Sequence, residues 1–312
     1  MAPYVVFRVL RVFFLEYRNM RIREVCFGCL LTRIEYECRL VLDCSNPENE
    51  KRVINVVDIC RDELKRGLSE DIPSPELSSR VHRLACRMIE HIDPYVEIKE
   101  RTNIEAEKLL ADVGDSLKTF RDCALAAVIG NTLDFGSKEH VVTDDFTGFF
   151  KDEFKKGFSV DDCDRIEKLA ARTVFICDNC GEIVFDRKLV QYLKNKGCRV
   201  TVVVKGAPII NDATMSDAVK LGMDKVADAV YTSTDGIPEV GFNIHMINDE
   251  LKDEISKATL IISKGMANYE SLSEYKKVMK LPPVAYLMMV KCVPISEDIG
   301  IPKGSRIAYL TE

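Results

Sequence analysis

Between residues 173 and 291 short runs of β-branched and aliphatic residues alternate with stretches of helical pattern. "TVFIC" precedes "FDRKLVQYLKNKG", and "RVTVVVK" precedes "DAVKLG". "ADAVYT" comes before "NDELKDEISKA", "TLIISK" before "SLSEYKKVM", and "VAYLMMVK" closes the series. Strands alternating with helices predict a mostly parallel open sheet flanked by helices, an α/β fold of Rossmann-like kind. An open sheet of this type binds ligands beyond the carboxyl ends of its strands. The residues that follow each apolar run are therefore where chemistry is expected.

The preceding part of the chain has a different pattern. "LLTRIEYECRLVLDC", "ENEKRVINVVDICRDELKRGL", "ELSSRVHRLACRMIEHI" and "YVEIKERTNIEAEKLLADVG" carry apolar residues three and four apart, as amphipathic helices do. Asn46-Pro47 and the proline cluster "DIPSPE" punctuate them. "FRDCALAAVIGNTLDFG" is apolar through its middle and predicts a buried helix, and the amphipathic "TDDFTGFFKDEFKKGF" ends this half. The expected organisation is an N-terminal all-helical domain over 22–168 and an α/β domain over 169–312. Residues 1–21 read as a non-native or extended leader, with Met20 as an alternative start. Arg8, Arg11, Glu16 and Arg18 interrupt that leader, so it predicts neither a membrane span nor a signal peptide.

Composition narrows the class. The chain has 312 residues, 46% apolar and 30% charged, the balance of a globular protein. A net charge of −6 disfavours a nucleic-acid partner. Twelve cysteines scattered through helical and strand patterns suit small buried hydrophobes in a reducing cytoplasm.

Four strand ends offer polar groups at one predicted edge. Asp178-Asn179-Cys180-Gly181-Glu182 follows "TVFIC", and Lys205 with Asp212 and Asp217 follows "VTVVV". Lys264, Asn268 and Glu270 follow "TLIIS", and Lys291-Cys292 follows "AYLMMV". Each motif alone has a plainer reading. Asp-Asn-x-Gly is ordinary turn chemistry, and Asp212 or Thr214 of "NDAT" could cap the next helix. Their recurrence at one edge favours a site. Asp178, Asn179 and Asp212 offer oxygen donors for a hard divalent ion, and the lysines would balance an anionic substrate, most simply a phosphate.

Cys177 and Cys180 form a Cys-x-x-Cys, and Cys26 and Cys29 another. A shared zinc site would require the pairs to meet across the two halves, and a thioredoxin-like pair lacks its surrounding pattern. His82, His91, His140 and His245 fall away from the strand ends and read as structural or surface residues.

"DNCGE", "KGAPIINDATMSDA", "SKGMANYE" and "VKC", in that order, resemble the damage-control phosphatase family with its ARMT-like domain. In the helical half "CFGC" with Leu30 and Arg33, "DPYVEIK" and "GNTLDFG" resemble the subgroup with an N-terminal Cys-x-x-Cys. The resemblance runs from about residue 22 to the end. It implies a metal-dependent phosphatase of small phosphorylated metabolites, with Mg, Mn, Co or Ni held by Asp178, Asn179 and Asp212. Lys264 would hold the phosphate with help from Asn268. Asp217 and Glu270 would orient water or ligands, and Asn131 and Asp134 would line the opposite wall. Lys205 and Lys291 join the substrate-binding set, and Cys180 sits where relatives often have another small residue. An aspartyl-phosphate route through Asp178 competes with metal-activated water, although phosphatases of that type carry Asp-x-Asp and here the third position is Cys180. Some relatives have been proposed as S-adenosylmethionine-dependent carboxyl methyltransferases; the single glycine of "CDNCGE" argues against the cofactor turn. A non-catalytic metal-binding role leaves the lysines unexplained.

Overall fold

The computed structural model describes residues 20–70, 72–131 and 146–312. Most of the expected leader and Asp134 lie outside the described residues. Three helices come first: α1 (Glu24–Val41), α2 (Pro47–Leu68) and α3 (Ser74–Ile89). Asn46 starts α2 by accepting the Glu48 amide at 3.0 Å, with Pro47 at the first helical position. Ile34 and Cys38 of α1, Val53, Val56, Cys60 and Leu64 of α2, and Leu77, Val81 and Ala85 of α3 share one apolar core. These positions follow the helical spacing read from the sequence.

α4 (Val96–Val113), α5 (Phe120–Gly130), α6 (Phe146–Lys156) and α7 (Cys163–Leu169) come next, with the two-residue strand β1 (Val160–Asp161) before α7. Thr119 and Asp122 form a reciprocal capping box at the start of α5. The alternating region then gives β2 (Arg172–Ile176), α8 (Glu182–Asn195), β3 (Arg199–Val204), α9 (Met215–Lys220) and β4 (Ala229–Thr232). It continues through α10 (Asp249–Ser256), β5 (Leu260–Lys264), α11 (Met266–Val278), β6 (Val284–Met289), α12 (Val293–Ile299) and β7 (Arg306–Thr311).

The strands form one sheet in the order β1-β7-β6-β5-β2-β3-β4. All neighbours are parallel except β6 and β7. This is the mostly parallel α/β sheet expected, closed on one side by an antiparallel strand that the alternation did not announce. Both faces are covered, so the central strands are apolar on both sides. Phe175, Val202, Ile262 and Leu287 face a core shared with α4 to α8, whereas Val174, Ile176, Ile261 and Tyr286 face a second core with α10 and α11. Residues on both sides of position 168 contribute to the first core, including Phe150, which stacks on Phe185 at 5.4 Å.

From β2 the chain winds one way through β3 and β4 and the other way through β5 and β6. The switch point thus lies between β2 and β5, whose carboxyl ends carry Asp178 and Lys264-Gly265.

Candidate active site

Asp178 leaves the end of β2 in a backbone frame held from several sides. Its carbonyl accepts the Ala213 amide at 2.8 Å, and the Cys180 amide donates to the Asn211 carbonyl at 2.9 Å. Asn179 and Asp212 pair as an isolated antiparallel bridge. The loops after β2 and β3 are thus stitched together through the three residues expected to hold an ion. From β5, Gly265 has φ of 76°, and a β-carbon there would lie 2.0–2.7 Å from the Asp178 carboxylate. Only glycine permits both the backbone conformation and this approach.

The carboxamides tie the carboxylates together. Asn179 Nδ2 donates to Asp178 Oδ2 at 2.8 Å and to Glu182 Oε2 at 3.3 Å. Asn131, at the end of α5, donates through Nδ2 to Asp178 Oδ2 at 3.3 Å and to Glu182. Its own carbonyl accepts from Lys291 Nζ at 2.7 Å, and Lys291 remains half-buried. Asp178, Asn179, Asp212, Asn131, Lys205 and Lys291 are therefore brought to one edge.

Lys264 occupies a different environment from the one its predicted role requires. It is 0% exposed and its Nζ donates to Glu182 Oε1 and to the Ala127 carbonyl at 3.1 Å. Asp186 Oδ1 lies 2.8 Å away as an ion pair, although neither Asp186 carboxylate oxygen makes a directed hydrogen bond among the described residues. A phosphate-holding ammonium needs a face open to substrate, and this one has its donors turned to protein. Asn268 is likewise fully buried. Its Nδ2 braces the edge by donating to the Cys177 carbonyl at 3.1 Å and the Lys264 carbonyl at 2.7 Å, and its Oδ1 is buried without a partner among the described residues.

Asp217 and Glu270 also sit in other company. Asp217 Oδ2 accepts from the Thr214 amide at 2.9 Å and hydroxyl at 2.6 Å, a capping box at the start of α9. Lys99 Nζ lies 3.4 Å from the same oxygen. Glu270, half-buried on α11, accepts from Ser74 Oγ at 3.5 Å. Burial pushes the Glu270 carboxyl up to about 7, against lowering by Ser74 and with Asp298 adding to the rise.

Electrostatics separates the groups further. Burial pushes Asp178 well above the usual carboxylate range, and the neighbouring Asp212 and Glu182 carboxylates add to the shift. Burial also raises Asp212, opposed by Lys205, whose ammonium lies 3.3 Å from Oδ2. Burial raises Asp186 to about 7, against the pull of Lys264. Burial alone would lower Lys264, but Asp186 and Glu182 outweigh it and hold the ammonium above its ordinary value. Desolvation pushes the Cys177 and Cys180 thiols well up. Both are therefore poor thiolates.

Among the described residues no group of three or more His, Cys, Asp or Glu side chains is arranged to hold an ion. The set at this edge is two carboxylates and a carboxamide. Asn179 spends its Nδ2 on carboxylates, so its carbonyl oxygen is the atom available to a cation. Asp178 raised by Asp212 is a repulsion that a shared cation would relieve. This oxygen set fits a hard divalent ion that keeps several waters.

Glu182 and Gly265 lie inside the quoted motifs without a role assigned there, and Asp186 lies outside them. Their signal is spacing: Glu182 and Asp186 stand four apart on α8 and present one face to Lys264.

Residues 22–307 match the family described as Damage-control phosphatase ARMT1-like domain. A protein of Archaeoglobus fulgidus named Damage-control phosphatase is 35% identical over 303 residues, covering 94% of this chain and 100% of its own. A Pyrococcus horikoshii protein that also bears the damage-control phosphatase name is 24% identical over 292 residues, covering 92% and 97%. The crystal structure of a DUF89 family protein from the same organism shares the fold, with a TM-score of 0.82 at 23% identity over 93% of this chain and 99% of that one.

Two outcomes follow from this geometry. Gly265→Ala forces a β-carbon into the Asp178 carboxylate, so calorimetry of Mn²⁺ binding should show affinity reduced about tenfold or more. Unchanged affinity would mean that the contact does not set the position of Asp178. Glu270 gives a pH signature. A carboxyl whose folded value, about 7, exceeds its ordinary 4.5 costs stability progressively as pH rises between those values. Glu270→Gln removes that loss, so the variant should melt above the parent at pH 8 and show a smaller difference at pH 4.

Proposed function

The chain belongs to the damage-control phosphatase ARMT1-like family, and from that premise we propose that it hydrolyses phosphomonoesters of small metabolites with a divalent ion held by Asp178, Asn179 and Asp212. The observation that carries this reading is the meeting of these three donors at the sheet's switch point, with Gly265 backbone packed directly against Asp178. Mg and Mn suit such an oxygen set, and the family resemblance adds Co and Ni. When bound, a divalent ion supplies charge neutralisation at the phosphoryl oxygens and a nucleophile from water at neutral pH.

The chain's own residues supply the rest. Phosphate-monoester hydrolysis is among the slowest uncatalysed reactions, so alignment and charge stabilisation carry the rate. Lys291, half-buried and anchored to the Asn131 carbonyl, is the cation we assign to the substrate phosphate. Asn131 orients Asp178 and Glu182 from the opposite wall. Lys205 balances Asp212 and fixes it by donating to the Gly241 carbonyl as well. Lys264 acts through Glu182, as a positioning residue whose ion pair holds that carboxylate in place. We read Cys26 and Cys29 as the Cys-x-x-Cys of the family subgroup that the sequence resembles. Twelve free cysteines support a reducing cytoplasm as the location. Among the described residues no helix is long and apolar enough to cross a membrane.

Two experiments test the assignment. Asp178→Ala and Asp212→Ala should each abolish measurable Mn²⁺ binding by calorimetry and phosphatase activity on p-nitrophenyl phosphate. Retained binding in both variants would overturn the ion site. Lys264→Met leaves Glu182 and Asp186 buried without a counter-ion and should cost about 3–5 kcal/mol in denaturant unfolding. A Met variant of unchanged stability but lost turnover would return Lys264 to the phosphate-holding role expected from its motif.

A further inference from the structure

Helix α4 touches the loop that carries Asp178 and the helix that follows the loop carrying Asp212. Lys99 and Asn103 stand four residues apart and therefore one above the other on the same face of the helix. Asn103 Oδ1 accepts the Gly181 amide at 2.6 Å, three residues beyond Asp178 and one before Glu182. Gly181 has φ of 80°, and a β-carbon on it would lie 3.3 Å from Thr102, so the close approach of α4 relies on that glycine. Lys99 Nζ pairs with Asp93 Oδ2 at 2.8 Å, in the turn before α4, and with Asp217 Oδ2 at 3.4 Å, in the first turn of α9 that follows the second loop. Asp217 passes the hold to Thr214, two residues after Asp212, through its amide and hydroxyl. Lys99, Asn103, Thr214 and Asp217 are all at least nine-tenths buried.

We propose that Lys99 and Asn103 form a two-point clamp that positions Asp178 and Asp212 for the ion, with Asn103 setting the first loop and Lys99 the second through Asp217. The two anchors differ in kind. Asn103 offers a neutral acceptor to a single amide, so its hold depends on the direction of one hydrogen bond. Lys99 bridges two carboxylates, so its hold depends on charge. The loops are also joined to each other by the Ala213 amide on the Asp178 carbonyl. A shift of α4 along its axis would thus move both donors together and preserve their spacing. A groove of about 530 Å³ between α4 and α9 is lined in part by these same side chains. This role rests on the ion site proposed above.

The test separates the clamp from that reading. Amide hydrogen exchange on the full chain reports the loops whether or not an ion binds. Asn103→Leu, similar in size but without the acceptor, should raise exchange about tenfold or more in residues 177–184. Lys99→Met should do the same in residues 211–218, and Asn103→Asp, which keeps the acceptor, should restore the parent pattern. Mn²⁺ affinity should fall about 10- to 100-fold in the Leu and Met variants and stay near the parent value in Asn103→Asp. Exchange unchanged in the two loops overturns the clamp. Loosened loops with unchanged Mn²⁺ affinity overturn its positioning role and leave the ion site standing. A parent chain that binds no Mn²⁺ removes the ion site and the positioning role together. Should Asn103→Leu fail to fold, Asn103→Ser serves in its place, since it is smaller and too short to reach the Gly181 amide.

Discussion

The buried ammonium of Lys264 is the interaction on which the carboxyl edge of the sheet depends. It ends β5, faces two carboxylates of α8 and donates to the last turns of α5, so three elements meet on one charge. Removing such charges from water costs several kcal/mol each, recovered only where the geometry closes. Two carboxylates share one ammonium here, and the surplus appears at Asp186, which burial lifts to about 7. Glu182 is left as the acceptor for Asn131 and Asn179, and both amides continue to Asp178. The position of Asp178 is thus fixed two links away from Lys264, while the residue after Lys264 presses its backbone on Asp178 directly.

Much of this was legible beforehand, and the reason is periodicity. A strand buried on both faces is a continuous apolar run, and "TVFIC", "RVTVVV" and "VAYLMM" declare themselves without help from neighbours. Where strands lack that signature the sequence is mute. β1 has two residues and exists through pairing with β7, and β7 carries Arg306 and Tyr309 among its apolar positions. The antiparallel edge therefore emerges from tertiary pairing. Residues 132–145, which include part of the "GNTLDFG" motif, lie outside the described residues.

Site chemistry divides along the same line. The meeting of Asp178, Asn179 and Asp212 at one edge was readable because the loops that carry them follow adjacent strands. Thr214 was readable as a cap, and Asp217 proved to be the partner that completes it. The burial of Lys264 was not readable, because lysines are seldom fully buried and a lysine at a strand end reads as a group facing ligand. Its partners stand about 80 residues away on α8. Spacing inside α8 shows that Glu182 and Asp186 share a face, but not what that face meets. Lys99 and Asn103 pose the same difficulty, since their targets are backbone and carboxylate groups of loops far along the chain.

The contacts between the α1–α3 bundle and the α/β part show how a site can be walled by a separate apolar unit and still remain polar. The bundle keeps its own core, and polar bonds tie it to the rest. The Val240 amide donates to Ser79 Oγ at 2.8 Å, Arg83 donates to the Pro238 carbonyl at 2.7 Å and pairs with Glu239, and Arg23 pairs with Glu297 at 2.6 Å. Directed bonds set a register where a greasy interface would allow sliding, and they do so without drying the surface between the units. That register brings half-buried Arg33 of α1 close enough to Asp212 to favour its ionised form. The bundle thus adds positive charge near Asp212, where buried carboxylates otherwise dominate. A wall built from apolar burial alone would raise Asp212 further.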